Sequence, residues 1–157
     1  MNEHGCSLCA FNDMNVGDLP PRERVFSNEH WRALVHKSAL PGWIVVGLRR
    51  HALSLDELTD EESLSLGPVL VGGAQALAAV VGCVKSYVML FCEGMPHLHL
   101  NLVPRMGDIP ADLVGPAVFG YERRGTPLGD SDGDELALRL ASAWPRVEQG
   151  DRESPGR

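Results

Sequence analysis

Positive charge is scarce in this chain. Its 157 residues carry 14 Lys and Arg against 21 Asp and Glu, a formal net charge of -7. That balance argues against a duplex-binding surface, because such surfaces displace counterions with basic side chains. The sequence also shows no evident apolar run of the roughly 18 to 20 residues that a spanning helix needs. Its opening Met1-Asn2-Glu3-His4-Gly5 has neither the basic nor the apolar part of a signal region. The expectation is a cytoplasmic protein with no nucleic-acid and no membrane partner, acting on a small molecule, phosphorylated substrates included. Internal repeats are lacking too. Cysteine is sparse, with four residues, expected as thiols or metal ligands rather than disulfides in a reducing compartment. Cys83 and Cys92 lie in apolar segments and read as small core residues. A chain of this length fits one domain that buries roughly two thirds of its unfolded surface.

What is present is a strong alternation in His97-Leu98-His99-Leu100-Asn101-Leu102-Val103-Pro104-Arg105. Period two marks a strand, with His97, His99 and Asn101 on one face and the leucines on a core-covering face. Two imidazoles on one face of a strand suit metal ligation or group transfer. The same pattern also describes the polar outer face of an ordinary antiparallel sheet.

The rest of the chain reads as α+β. Residues 1–20 are turn-rich and read as a docked arm. Strands are expected at Arg24–Phe26, Trp31–His36 and, after the Pro41-Gly42 turn, Trp43–Leu48. Ser54–Leu58 makes one helical turn. Thr59-Asp60-Glu61-Glu62 is a capping signal for a helix to about Val81, whose continuity Gly67-Pro68 and Gly72-Gly73 put in question, with Gly82 as its stop. A strand at Ser86–Glu93 should join the histidine strand through a Gly94-Met95-Pro96 hairpin. Residues 106–131 read as an irregular cover, Asp134–Trp144 as an amphipathic helix, and 147–157 as a disordered tail.

Cys6-Ser7-Leu8-Cys9 can present two sulfurs to one tetrahedral ion or form a redox pair. The redox use wants a helix start after a strand, whereas this motif reads as loop, which favours zinc. Two thiolates need two more ligands, and His51, closing an apolar strand, and His97 supply them. Zn2+ held by Cys6, Cys9, His51 and His97 is the simplest arrangement.

With 41 residues between Cys9 and His51 and 45 between His51 and His97, the chain resembles zinc-containing members of the histidine-triad (HIT) superfamily. Pro41-Gly42-Trp43-Ile44-Val45-Val46, Glu93-Gly94 and the closing Val103-Pro104-Arg105 carry the resemblance further, over about residues 5–105. It implies a HIT-like α+β fold, a twisted antiparallel sheet with a long helix and a C-terminal helix packed on it, in a domain spanning 21–146 with a zinc-binding arm at 1–20. It also implies a homodimer, and phosphoesterase or nucleotidyl-transferase chemistry. His99 matches the nucleophile that forms a covalent nucleotidyl intermediate, and His97 becomes a structural zinc ligand.

Three features depart from that pattern. Asn101 stands where the third histidine belongs, and an amide donates but carries no charge. Val35 falls where the family grips ribose hydroxyls. Only Met95-Pro96 separates Gly94 from His97, which removes most of a phosphate-cradling loop. Lys37 and Arg105 are candidate substrate-binding cations; Arg49 and Arg50 could meet a phosphate or carboxylate but read more readily as solvated charges, and Glu93 could orient a histidine or be an ordinary strand-end carboxylate. These departures keep a second class open: a zinc-stapled scaffold turned to a non-nucleotide small molecule in biosynthesis, or a binding module. A catalytic zinc is a third, since losing one ligand would open the ion to water.

Overall fold

The computed structural model describes residues 5–145, and for Glu122 and Arg123 the backbone only. The tail expected at 147–157 lies outside the described residues. Five strands form one antiparallel sheet in the order β1-β2-β3-β5-β4, with β1 at Phe26–Ser27, β2 at Trp31–Val35, β3 at Ile44–Leu48, β4 at Lys85–Met89 and β5 at His99–Arg105. In register, Leu34 faces Val45 and Val45 faces Asn101, while Arg32 faces Gly47 and Gly47 faces His99.

Because side chains alternate across a strand, these rows share one face of the sheet. The other face presents Trp31, Ala33, Val35, Ile44, Val46, Leu48, Leu100 and Leu102 to the main core. Two helices close that core, α2 (Asp60–Val81) and α3 (Asp130–Ala143), contributing Val69, Ala76, Leu77, Leu136 and Leu140. A second cluster of Leu40, Trp43, Val103, Ile109, Leu113 and Val118 covers the far end of the polar face. Its lid is the expected covering segment, folded as 3-10 turns at Ala111–Leu113 and Gly115–Arg123.

Helix α2 starts where the sequence says, on a capping box between Thr59 and Glu62, and Gly82 ends it with φ of 68°. It runs unbroken through Pro68 and the glycines. A Cβ on Gly73 would stand 2.6 Å from Leu102 Cδ2 and 2.8 Å from Trp144 Cη2, so the paired glycines let the helix press onto β5 and Trp144. The reading of hydropathy needs correction here. The most apolar 18 residues of α2 reach a mean hydropathy of 1.8, enough by length and composition to cross a membrane. This apolarity comes from four Leu, four Val and four Ala scattered among Ser, Gly, Pro and Gln rather than from an unbroken run, and Val69, Gly72, Gly73, Ala76 and Leu77 are buried against the core.

Other boundaries move for local reasons. The strand ladder begins at His99 rather than His97, although Leu98 still bonds the strand beyond, donating to Ala52 O (2.7 Å) and accepting from Leu48 N (3.0 Å). β4 stops at Met89, opposite Asn101, so residues 90–98 form a long connection instead of a tight hairpin. Within it Cys92 holds a left-handed φ of 57°. Helix α3 begins at Asp130, four residues early, because Asp130 and Asp132 in its first turn suit the helix dipole.

Arg50 is not a solvated charge. Its Nε and Nη2 donate to both oxygens of the buried Glu62 carboxylate (2.6 and 2.7 Å), tying the end of β3 to the start of α2. The Arg50 bond holds the Glu62 carboxyl below the usual carboxylate range. A depressed folded value means this stability is complete above the unfolded pKa, about 4.3, and is lost as pH falls through the folded value. Thermal unfolding followed by circular dichroism across pH 2 to 7 should therefore show a smaller acid-side loss of stability in Glu62→Gln than in the parent chain.

Candidate metal centre and nucleophile

The cysteine motif starts a helix. Cys6 is the N-cap of α1 (Ser7–Asp13) and its sulfur accepts from Cys9 N at 3.5 Å. The expected loop is thus corrected, because the seven residues after Cys6 form two turns that dock on the sheet. Asn12 Nδ2 donates to Leu48 O and Arg49 O, both at 2.9 Å. Arg32, buried in β2, donates to Phe11 O and Met14 O at the helix end, both at 2.9 Å. Leu8 rests on Gly47, where a Cβ would stand 2.8 Å from Leu8 Cδ2. The helix therefore depends on a glycine in the middle of an otherwise bulky strand.

This docking brings both thiols to two imidazoles. Cys6 Sγ lies 3.2 Å from His97 Nδ1, and Cys9 Sγ lies 3.3 Å from His51 Nδ1 and 3.5 Å from His97 Nδ1. All four ligand atoms fall within 4.8 Å of one another. A tetrahedral zinc with S and N ligands has ligand-to-ligand edges of about 3.5–3.8 Å, so the cluster has the size of one ion. His97 Nε2 donates to Leu48 O at 2.8 Å, which leaves Nδ1 as the lone pair facing the thiols. Burial pushes the His97 pKa down, favouring the neutral ring that ligation needs. The cluster is one that could hold a metal, and the redox reading loses ground to these imidazoles rather than to the motif's local structure.

His99 follows on the polar face of β5, half-buried. Its Nδ1 donates to the His97 carbonyl at 2.7 Å, which fixes the tautomer and leaves the Nε2 lone pair available. Asn101, two residues on, is buried, and its Oδ1 accepts from Trp43 Nε1 at 2.9 Å. An indole N–H only donates, so the amide orientation is set and its Nδ2 hydrogens remain.

A groove of about 610 Å³ lies beside this face. Leu34 and Val45 form its floor, Leu8 and Phe11 of α1 with Met14 just after it one wall, and Gly129, Asp130 and Gly133 at the start of α3 the opposite side. Val45 is the neighbour of Asn101 in the ladder, so the groove and His99 share one surface. Lys37 lines the groove, paired with Asp130 at 3.3 Å on the surface. Arg105 does not come near: it sits six residues along β5 from His99, about 20 Å away, opposite Lys85. As a substrate ligand in the same site it is corrected. Val35 borders the groove while its side chain packs in the main core, so alternation hands the polar side to Leu34 and His36.

Arg32, Asn12, Gly47 and Trp43 are parts of the site that the motifs missed. Arg32 alone gave a signal, as a cation inside the apolar run Trp31–Val35.

The architecture is that of histidine-triad proteins. A Zn-bound histidine triad family protein from Mycobacterium smegmatis superposes with a TM-score of 0.64 at 19% identity, covering 88% of this chain and 94% of that one. A histidine triad protein from Bradyrhizobium japonicum gives 0.65 at 21%, covering 77% and 89%. A HIT-like protein from Bartonella henselae gives 0.63 at 20%, covering 81% and 89%. The chain thus has the histidine-triad fold. No family model and no curated protein matches it.

Asn12→Ala removes two bonds to backbone carbonyls that hold α1 on β3, and should cost about 1–3 kcal/mol. Because both thiols ride on α1, bound metal per chain, read by atomic emission after dialysis, should fall with the melting temperature.

Proposed function

We propose that this chain is a member of the HIT superfamily, a phosphoesterase or nucleotidyl transferase for a small nucleotide-type substrate, with His99 as the nucleophile. The observation that carries this reading is the bond from His99 Nδ1 to the His97 carbonyl. With Nδ1 bound to that carbonyl, the lone pair of the neutral ring is on Nε2, which is the atom that would act as nucleophile. The Nε2 lone pair would form the bond to phosphorus as the bond to the leaving oxygen or nitrogen breaks, and a proton from water or a neighbouring donor would neutralise that group. Water or a second acceptor then attacks the phosphohistidine, and the electron pair of the P–N bond returns to His99. Asn101 would donate from Nδ2 to a phosphate oxygen. Lys37, whose exposed pair with Asp130 holds weakly, would leave it to approach the substrate's charge.

Cys6, Cys9, His51 and His97 would hold Zn2+ as a closed structural site. The ion would supply no chemistry to the substrate and would fix His97, and through it His99. A homodimer and a cytoplasmic setting belong to the same proposal and rest on the resemblance.

The second reading, a scaffold serving a non-nucleotide molecule, is favoured by the core-facing Val35 and by Asn101 in place of a titratable ring.

Intact-mass spectrometry after incubation with diadenosine polyphosphates, adenylyl amidates and sugar nucleotides should show a nucleotidyl adduct that disappears in His99→Ala. No adduct and no turnover across that panel, at full zinc occupancy, would sink the first reading in favour of the second. Separately, Cys6→Ser should lower zinc content and melting temperature together, while His99→Ala leaves both unchanged. Zinc lost without a change in melting temperature would rule out the structural role.

A further inference from the structure

No residue of α1 belongs to the main core or to the second cluster, although Leu8 and Cys9 are buried. The helix lies on the polar face of the sheet through Leu8 on Gly47, the two Asn12 bonds and the two bonds from Arg32. That seam is not fully satisfied. The buried Arg32 guanidinium meets carbonyls only, and burial pushes its pKa down. Arg32 Nε and Asn12 Oδ1, both buried in the seam, find no partner among the described residues. Each such atom offsets what an ordinary hydrogen bond contributes. A helix of seven residues cannot make up the difference by its own propensity. Ligation by Cys6, Cys9, His51 and His97 is the term in this seam large enough to decide whether α1 is seated.

The same helix is a wall of the groove. Ser7, Leu8 and Phe11 line it, and Ser7 Oγ donates to Met95 Sδ at 3.5 Å, joining α1 to the 90–98 connection at the groove's edge. Leu8 lies between the two thiols in sequence, rests on the sheet and faces the groove, so one residue belongs to all three.

We propose that the cluster is a metal-operated gate on the groove. With zinc bound, α1 is seated and the groove has its wall. Without zinc, α1 leaves the sheet and the wall is lost, while both hydrophobic clusters persist. By linkage, a molecule held against Ser7, Leu8 or Phe11 tightens zinc by the factor by which zinc tightens that molecule. The inference rests on the reading of the cluster as a zinc site and gives that site a second task besides fixing His97.

Amide hydrogen exchange of the full chain, read by mass spectrometry with reductant present, compares zinc-loaded protein with protein stripped by a chelator. Residues 7–14 should exchange at least about tenfold faster after stripping, while residues 69–77 of α2 and 136–140 of α3 keep their protection. Gly47→Val puts side-chain atoms where Leu8 rests and alters no ligand. It should weaken zinc binding at least about tenfold, read by competition with a chelating dye. If this variant loses protection in α2 and α3, Leu8→Ala, which empties the same seat, is measured in its place. Loss of protection in α2 and α3 together with α1 in the stripped parent, or an unchanged zinc affinity in the folded variant, overturns the gate. A chain that takes up no zinc overturns the zinc reading and the gate together, whereas zinc uptake with equal exchange of residues 7–14 in the two states overturns the gate alone. Neither measurement involves His99, so the adduct test stands apart from both.

Discussion

The His97 imidazole and its own peptide carbonyl join the three parts on which the site depends. Nδ1 faces the thiols of α1, Nε2 donates to Leu48 at the end of β3, and the carbonyl accepts from His99. A fully buried ring bonded at both nitrogens has no freedom to rotate, and the peptide behind it is fixed with it. The order of causes then runs from the thiol–imidazole cluster to His97 and from His97 to the tautomer of His99. Ser7 and Leu8, between the two thiols, also line the groove, so the cluster and the groove share the α1 backbone. The two histidines of a single short motif thus have different surroundings: His97 is buried against the thiols, and His99 stands half-buried on the polar face of the sheet.

Much of this was legible in the chain itself. The alternation after His97 gave the faces of β5 correctly, because a leucine-covered core and a polar site leave little choice of register. The gathering of Cys6, Cys9, His51 and His97 was also legible, since two thiolates need two more ligands and the strand histidines were the available ones. The capping box at Thr59 gave the start of α2 for an equally local reason. The failures have a common cause. Helix α1 is seven residues long, too short to hold its shape alone, and it exists because Arg32, Gly47 and the carbonyls of Leu48 and Arg49 receive it. Those partners lie some 20 to 40 residues away in the sequence, so no local window contains the reason. Arg105 fails in the opposite way: closeness in sequence to His99 suggested closeness in space, and an extended strand separates what a loop would have gathered.

The groove shows how a shared fold can carry an altered surface. A position counted from the Pro41-Gly42 turn falls on Val35, but the pleat turns that side chain into the core and gives the groove to Leu34 and His36. Loss of an acceptor at one position is therefore not loss of polarity from the groove as a whole. Polar groups return from outside the sheet, on the Pro21–Glu23 turn and the start of α3, and they are tied together by Arg22. An ionic seam between two peripheral elements can change charge without disturbing the packed strands beneath it.

Asn101 is where the polar face and the second core cluster meet. Trp43 is fully buried and packs on His36 and Phe119 with ring centroids 5.1 Å away in each case. Its indole N–H donates to the Asn101 amide oxygen at 2.9 Å. Leaving that N–H unpaired would cost a buried donor, on the order of 1–3 kcal/mol, so the core itself holds the amide in one of its two orientations. A histidine at this place would offer a charge that changes with pH. The amide offers a donor whose direction is set by packing and whose protonation never changes, so the residues covering the far end of the sheet also determine what the site can present to an oxygen.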